Sequence, residues 1–123
     1  MTELQTALTE KAIRALEAAR RALDAGDAET AVNRAYYACF HAARAALAGE
    51  DEQPKTHSGV HNRFARLFVA TERVPVEVAR SLPHAAQVRE RADYDALTLA
   101  DLGGAADLVA DAERFVTSVR DAL

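Results

Sequence analysis

Four polar side chains lie on one face of a predicted helix in the middle of the first half of the chain. They are spaced by four, four and three residues: Asn33, Tyr37, His41 and Arg44. This spacing places them in one stripe along the helix. A phenol, an imidazole and a guanidinium in such a stripe can hold a phosphate group or transfer a proton. The same stripe can also be a packed interface in which every polar group has a hydrogen-bond partner.

A second group of charged residues lies in the sequence RERADYD, residues 89 to 95. Arg89 and Asp93 are four residues apart and can pair across one helical turn, which explains both as structural residues. Alternatively, the Arg89 guanidinium can stabilise charge that develops on a phosphate, with Tyr94 beside it as a hydrogen-bond donor. The spacing leaves both interpretations open.

His57 and His61 are also four residues apart, a spacing that lets two imidazoles share a metal ion. Helical zinc motifs add a glutamate between the histidines and a distant third ligand, and neither is indicated here. We therefore predict no metal and no cofactor, and expect His57 to cap or anchor its loop. The sequence also lacks a phosphate-binding loop, a dinucleotide-binding glycine pattern and a serine nucleophile elbow.

Helices must position these residues, because half of the 123 residues are hydrophobic, many of them alanine, and only five are glycine and three proline. Apolar residues recur at steps of three and four. This pattern predicts helices over residues 4–25 and 27–49, a loop over 50–55, a short helix behind Thr56 or Ser58, and a helix over 75–93 that Pro83 kinks or splits.

The last helix has a core stripe from Leu102 to Leu123. Thr98 with Asp101 is a possible capping box for it, and its start is expected just beyond the glycine pair at residues 103–104. We predict an all-α fold, an up-and-down four-helix bundle with an additional short helix, as a single domain over residues 1–123.

Charge and cysteine content indicate the class of ligand and the cellular compartment that we expect for this protein. The net charge is -4, but residues 33–91 carry nine cations against six anions, which favours a mildly basic face that can meet nucleic acid or nucleotide. The single cysteine, Cys39, excludes an internal disulfide framework and is typical of a reducing compartment. No apolar run reaches the roughly 20 residues of a membrane span. We expect a cytoplasmic protein without a membrane partner.

Three segments, taken in order, resemble the small single-domain prokaryotic HEPN-domain proteins. The first is NRAYYACFHAARAAL, residues 33–47, which is similar to the family's double-tyrosine helix. The second is KTHSGVHNRFARLFV, residues 55–69, which is similar to its histidine loop and short helix. The third is RERADYD, residues 89–95, followed by AERF at residues 112–115. Together they cover nearly the whole chain.

The resemblance implies a helical bundle that forms a homodimer, with a shared cleft near the tyrosine and arginine motifs. It also implies a minimal nucleotidyltransferase as partner, since several members are ribonuclease toxins that such a partner neutralises. Ribonuclease members carry an arginine, four to six residues, and then a histidine. Arg89 matches that arginine, but Tyr94 stands where the histidine is expected, and no histidine follows His84. A phenol with a pKa of about 10 exchanges protons poorly near neutral pH.

Three hypotheses follow. The first is a non-enzymatic or weakly active HEPN protein of a toxin–antitoxin type pair, which binds a nucleotidyltransferase and holds nucleotide or RNA phosphate in a dimer cleft. The second is a metal-independent ribonuclease toxin that uses Arg89 and Tyr94 with a histidine, either His41 or His57. The third is a dimerisation module without a ligand. The candidate binding residues are the four of the polar stripe together with His57, Arg89, Asp93 and Tyr94.

Overall fold

The computed structural model describes residues 1–97 and 100–123, and within them the chain forms six α-helices. The third helix continues directly into a π-helical segment, Ala65–Val69. The helices are α1 (Glu3–Asp24), α2 (Ala28–Ala48), α3 (His57–Phe64), α4 (Val76–Ala79), α5 (Ser81–Tyr94) and α6 (Leu102–Asp121).

Side-chain caps fix where the first helices begin. The Gln5 amide N–H donates to Thr2 Oγ1 at 3.1 Å and the Thr2 amide N–H donates to Gln5 Oε1 at 3.0 Å, so that α1 starts with a capping box. Asp27 caps α2 by accepting from the Thr30 amide at 3.1 Å. Gly26 joins the two helices with a φ of 74°, a conformation that glycine adopts without strain. The sequence therefore specifies a tight turn between α1 and α2.

The central element is α2, which packs against α1, α5 and α6 and carries α3 on one side. The predicted all-α bundle with an additional short helix is confirmed. Alanines dominate the buried faces of α1 and α2, which lets their backbones approach closely. The largest side chains that are almost fully buried are aromatic: Tyr36, Phe64, Phe68 and Phe115. Cys39 is fully buried in the same core, and burial raises the pKa of its thiol.

The predicted break in the helix over 75–93 is confirmed, since the chain forms α4 and α5 with Arg80 between them. Pro83 has no N–H to donate to the Ala79 carbonyl four residues before it, so the break precedes the proline and Pro83 itself lies in the first turn of α5. The predicted start of the last helix is wrong. The last helix begins at Leu102, before the glycine pair and not after it. Asp101 is its N-cap and accepts from the Gly104 amide at 2.7 Å. Thr98, the other half of the predicted capping box, lies outside the described residues.

Within residues 1–97 and 100–123, no helix combines the length and the apolar character that crossing a membrane requires.

Candidate functional site

A buried tyrosine hydroxyl joins one exposed and one half-buried histidine between α2 and α3. The Tyr36 side chain is 1% exposed, and its hydroxyl oxygen lies 2.8 Å from His57 Nδ1 and 3.2 Å from His61 Nε2. Because the two histidines are four residues apart, both imidazoles lie on the side of α3 that meets α2. A buried phenol needs a hydrogen-bond partner, and here α3 supplies two.

This phenol and its two imidazoles are uncharged near neutral pH. Burial raises the pKa of Tyr36 to about 12, although the Arg89 charge opposes that effect. Burial lowers the pKa of His57, and the positive charges of Arg89 and Arg44 lower it further. Burial and the neighbouring His57 lower the pKa of His61. A phenol has one proton to donate, so in the neutral network one imidazole accepts from Tyr36 and the other donates to it.

Arg89 extends from α5 over the rings of two neighbouring tyrosines of α2, Tyr36 and Tyr37. The guanidinium carbon lies 4.9 Å from the centroid of the Tyr36 ring and 5.6 Å from that of Tyr37. Asp93, one turn further along α5, lies 3.3 Å from Arg89 Nη1. Within the described structure, Arg89 Nε is buried without a hydrogen-bond partner. The guanidinium is thus held by aromatic faces and one carboxylate, and it retains unused donor capacity.

Aromatic rings continue from this arginine along α2. The His57 ring stacks on Phe40 with a centroid distance of 4.2 Å and an interplanar angle of 24°. Tyr37 meets both rings edge-on, at 6.0 Å in each case. The Arg34 guanidinium carbon lies 5.1 Å from the Tyr37 centroid, so that two arginines contact one phenol ring. The result is a ridge of aromatic side chains flanked by cations.

His41 lies beside this ridge, with its ring centroid 5.9 Å from that of Tyr37. Burial lowers the pKa of His41 to about 4, and cations on α1 and α2 lower it as well: Arg44, Lys11 and Arg34. Its Nδ1 atom is buried and has no partner among the described residues. His41 is therefore a neutral imidazole at pH 7 in a positively charged environment.

A cleft opens where α2 meets the loop that precedes α3. Its volume is about 590 Å³. Phe40 and Arg44 contribute to it from α2, and His57 from the start of α3. The remaining lining residues are Leu8, Glu52, Gln53, Pro54, Lys55 and Thr56. Thr56 also caps α3, as predicted, by accepting from the Gly59 amide at 2.9 Å.

The structure brings some of the predicted site residues together and separates others. Tyr37, His57, Arg89 and Asp93 form one cluster, with His41 at its edge and Arg44 in the adjoining cleft. Asn33 lies one turn before Tyr37, and its side-chain oxygen accepts from Arg34 Nε at 3.0 Å.

Tyr94 lies apart from this cluster. It is 79% exposed and lines a separate shallow depression with Gln87, Glu90 and Arg91. The reason is helical geometry, because five residues along α5 turn Tyr94 about 140° away from Arg89. Within one chain, therefore, the guanidinium and this phenol do not face the same ligand.

Sequence reasoning missed the residue at the centre of the cluster. Tyr36 fits the apolar stripe of α2, and its burial agrees with that assignment, but a buried hydroxyl also requires partners. That requirement, set beside two histidines at helical spacing, is the available signal. The spacing of His61 suggests only a metal ligand. The sequence places Lys55 only within the loop motif, because nothing in its local sequence places it near α2.

Across the part of the chain that the structure describes, no three His, Cys, Asp or Glu side chains are arranged to hold a metal ion.

Comparison with known proteins places this helical architecture in a family. A family model described as the HEPN domain matches residues 6–122, almost the whole chain. The chain belongs to the HEPN domain family. The resemblance drawn from the tyrosine, histidine-loop and arginine segments is thereby confirmed.

Several curated proteins are 30% to 38% identical to this chain over the aligned regions. The Methanocaldococcus jannaschii protein named "Putative toxin MJ0142" is 38% identical over 89 residues, which is 72% of this chain and 60% of that protein. A UPF0332 protein of Gloeobacter violaceus is 37% identical over 94 residues, 76% of this chain and 75% of its own length. A UPF0332 protein of Archaeoglobus fulgidus is 30% identical over 125 residues, 100% of this chain and 97% of its own.

Proposed function

We propose that this HEPN protein is of the toxin type, that it binds RNA or nucleotide phosphate at Arg89, and that a minimal nucleotidyltransferase is its partner. The observation that carries the binding proposal is the placement of Arg89 across Tyr36 and Tyr37, with His57 on the same aromatic ridge. Aromatic faces and an immobilised guanidinium together suit a chain of bases and phosphates. The name of the Methanocaldococcus relative supports the toxin type.

The charges around the ridge support an anionic ligand. Arg34 and Arg44 have no carboxylate within 4.0 Å among the described residues, and Arg89 has only Asp93. By contrast, several arginines elsewhere on the surface are neutralised by glutamates, for example Arg20 by Glu113. Cations without nearby counter-charges raise the local concentration of phosphate-bearing ligands.

Binding is best tested by fluorescence anisotropy with a labelled single-stranded RNA. We expect Arg89→Gln to weaken binding about tenfold, since it removes a charged hydrogen-bond donor. Arg91→Gln is the matched control, because Arg91 lies on the same helix, is exposed and lines the separate depression beside Tyr94, away from Tyr36 and Tyr37. Equal affinities for the two variants would refute a phosphate site at Arg89.

Metal-independent RNA cleavage is a second candidate function, and the position of His57 favours it. His57 and Arg89 both contact Tyr37, and burial, together with the positive charges of Arg89 and Arg44, lowers the pKa of His57, so its imidazole is neutral at pH 7. A neutral imidazole can accept the 2′-hydroxyl proton while Arg89 stabilises the phosphate charge. Cleavage of RNA by the purified protein in the presence of EDTA, lost in His57→Gln and kept in Tyr94→Phe, would support it. Intact RNA with the wild-type protein would refute it.

Exposed apolar side chains support the proposed homodimer and partner. Tyr94, Leu97 and Leu102 are 79%, 95% and 48% exposed and lie between the end of α5 and the start of α6. Large apolar side chains that are exposed to this extent are candidates for protein contacts. Light scattering coupled to size-exclusion chromatography tests the dimer. Co-expression with a neighbouring nucleotidyltransferase gene tests the partner, and a Leu102→Ser variant that assembles like wild type would exclude this surface from the contact.

A further inference from the structure

A cavity that the proposed RNA site does not use lies between α3, with its π-helical continuation, and the junction of α4 and α5. Its volume of about 380 Å³ lies in the range of small-molecule binding sites. The cavity reaches from the surface to the core, because Val76 in its lining is 48% exposed whereas Phe64 and Leu82 are each 2% exposed. An apolar ligand would therefore leave water over much of its surface on entering it.

One wall of this cavity is π-helical. The segment Ala65–Val69 contributes its first and last residues to the lining. The Ala70 amide N–H donates to the Ala65 carbonyl at 2.9 Å, which is a step of five residues instead of the four of an α-helix. π-helical turns are rare and occur frequently at functional sites. The proposed RNA site does not use this turn, whereas a ligand in the cavity would contact it.

The described lining is apolar except for three side chains. Arg80 lies at the junction of α4 and α5, and His61 and Asn62 lie on α3. Arg80 is the single charged group among the described lining residues, since His61 is a neutral imidazole. No carboxylate of the described chain lies within 4.0 Å of Arg80. The cavity thus combines an apolar interior with one uncompensated positive charge.

One uncompensated cation matches a ligand with one negative charge. A guanidinium donates two parallel hydrogen bonds to a carboxylate, and the Asn62 amide can donate another. A phosphate group would bring a second negative charge that no described lining residue neutralises. A nucleotide would also place its polar sugar against apolar side chains that offer it no hydrogen bond. The lining therefore favours a carboxylate over a phosphate ester.

We infer that this cavity binds a monocarboxylic acid with an apolar body, its carboxylate paired with Arg80 and its hydrocarbon part packed against Phe64, Leu82 and the π-helical turn. His61 also lines the cavity, and its Nε2 atom lies 3.2 Å from the Tyr36 hydroxyl, so the bound acid borders the phenol network beneath Arg89. The inference does not depend on RNA binding, so either proposal can fail without the other.

The test is titration of the full chain, labelled with ¹⁵N, with octanoate, 1-octanol and acetate, followed by two-dimensional NMR. We expect octanoate to shift the amide signals of residues 61–65 and 76–82, which carry most of the lining. Octanol lacks the charge and acetate lacks the apolar body. Each should therefore bind at least about tenfold more weakly than octanoate.

Two variants separate the charge from the apolar contacts. Arg80→Gln should weaken octanoate binding about tenfold and leave octanol binding unchanged, because only the pairing with the carboxylate is lost. Arg66→Gln is the matched control, since Arg66 is exposed and lies in the same π-helical turn but does not line the cavity. Ala65→Leu adds side-chain volume at the wall and should weaken octanoate and octanol alike, with circular dichroism to check that the helices are kept.

Any of four results would overturn the inference. They are no octanoate-dependent shifts at residues 61–65 and 76–82, equal affinities for octanoate and octanol, equal octanoate affinities in Arg80→Gln and Arg66→Gln, or the largest shifts beside the exposed Tyr94 and Leu102, which would identify general adsorption to apolar surface. If Ala65→Leu does not fold, the two arginine variants still decide. Octanoate binding in the cavity by a protein that binds no RNA would support this inference and refute the proposed function alone.

Discussion

Removing the hydroxyl of Tyr36 tests the hydrogen-bonded core of the site without changing its shape. Tyr36→Phe keeps the ring that Arg89 covers and deletes only the oxygen that lies 2.8 Å from His57 Nδ1 and 3.2 Å from His61 Nε2. His57 is exposed, so water can replace its lost partner, whereas His61 is half-buried and is left with an unpaired nitrogen. Two lost bonds, one of them uncompensated, should cost about 2 kcal/mol of unfolding free energy.

Urea unfolding followed by circular dichroism at 222 nm measures this loss, since the chain has no tryptophan to serve as a fluorescence probe. Tyr37→Phe is the matched control: the neighbouring hydroxyl has no hydrogen bond to any described residue, and its removal should cost less than about 0.5 kcal/mol. In a His61→Gln background the effect of Tyr36→Phe should fall to about half, because one of the two bonds has already gone. Equal stabilities of Tyr36→Phe and Tyr37→Phe would refute the bridging hydroxyl.

Two further predictions concern residues outside the phenol network. Burial holds the pKa of His41 at about 4 in the folded protein against 6.5 for an unperturbed histidine, so the unfolded chain takes up the proton first as the pH falls. Neutral His41 therefore contributes its full amount to the free energy of unfolding above about pH 6.5, and this contribution decreases as the pH falls toward 4. Because about half of the ring is solvated, the effect is reduced. Between pH 7 and pH 5, the free energy of unfolding of the wild type should fall by about 1 kcal/mol more than that of His41→Gln in urea titrations. Parallel pH profiles of the two proteins would contradict this. Gly49→Ala should cost about 1–2 kcal/mol, because the new Cβ would overlap Nε2 of Gln5, which donates to the Ala45 carbonyl at 3.2 Å. Thermal unfolding measures that loss, which should nearly vanish in a Gln5→Ala background; persistence there would point to another cause.

Local patterns predicted the helices well because caps and periodicity act over a few residues. Asp27 and Thr56 cap their helices as their types suggest, and the Arg89–Asp93 pair forms across one turn of α5. Pro83 splits the helix as predicted, and the break lies at Arg80 because a proline acts on the carbonyl four residues before it.

The contacts between helices could not be predicted in the same way. The meeting of Tyr36 with His57 and His61 depends on how α3 packs against α2, which no spacing within one helix encodes. The position of Lys55 depends on the path of the loop after α2. Whether Tyr94 faced Arg89, by contrast, was open to calculation, since five residues of helix separate them by a known angle.

The reactivity of the buried Cys39 thiol can report how often the helical core of this protein opens. Its raised pKa and complete burial prevent a disulfide reagent such as DTNB from reacting while the core is closed. Because it is the single cysteine, the slow appearance of the coloured product counts one event per molecule: the separation of α2 from its neighbours. Labelling kinetics with and without RNA would therefore reveal, without any engineered probe, whether a ligand slows the breathing of the bundle.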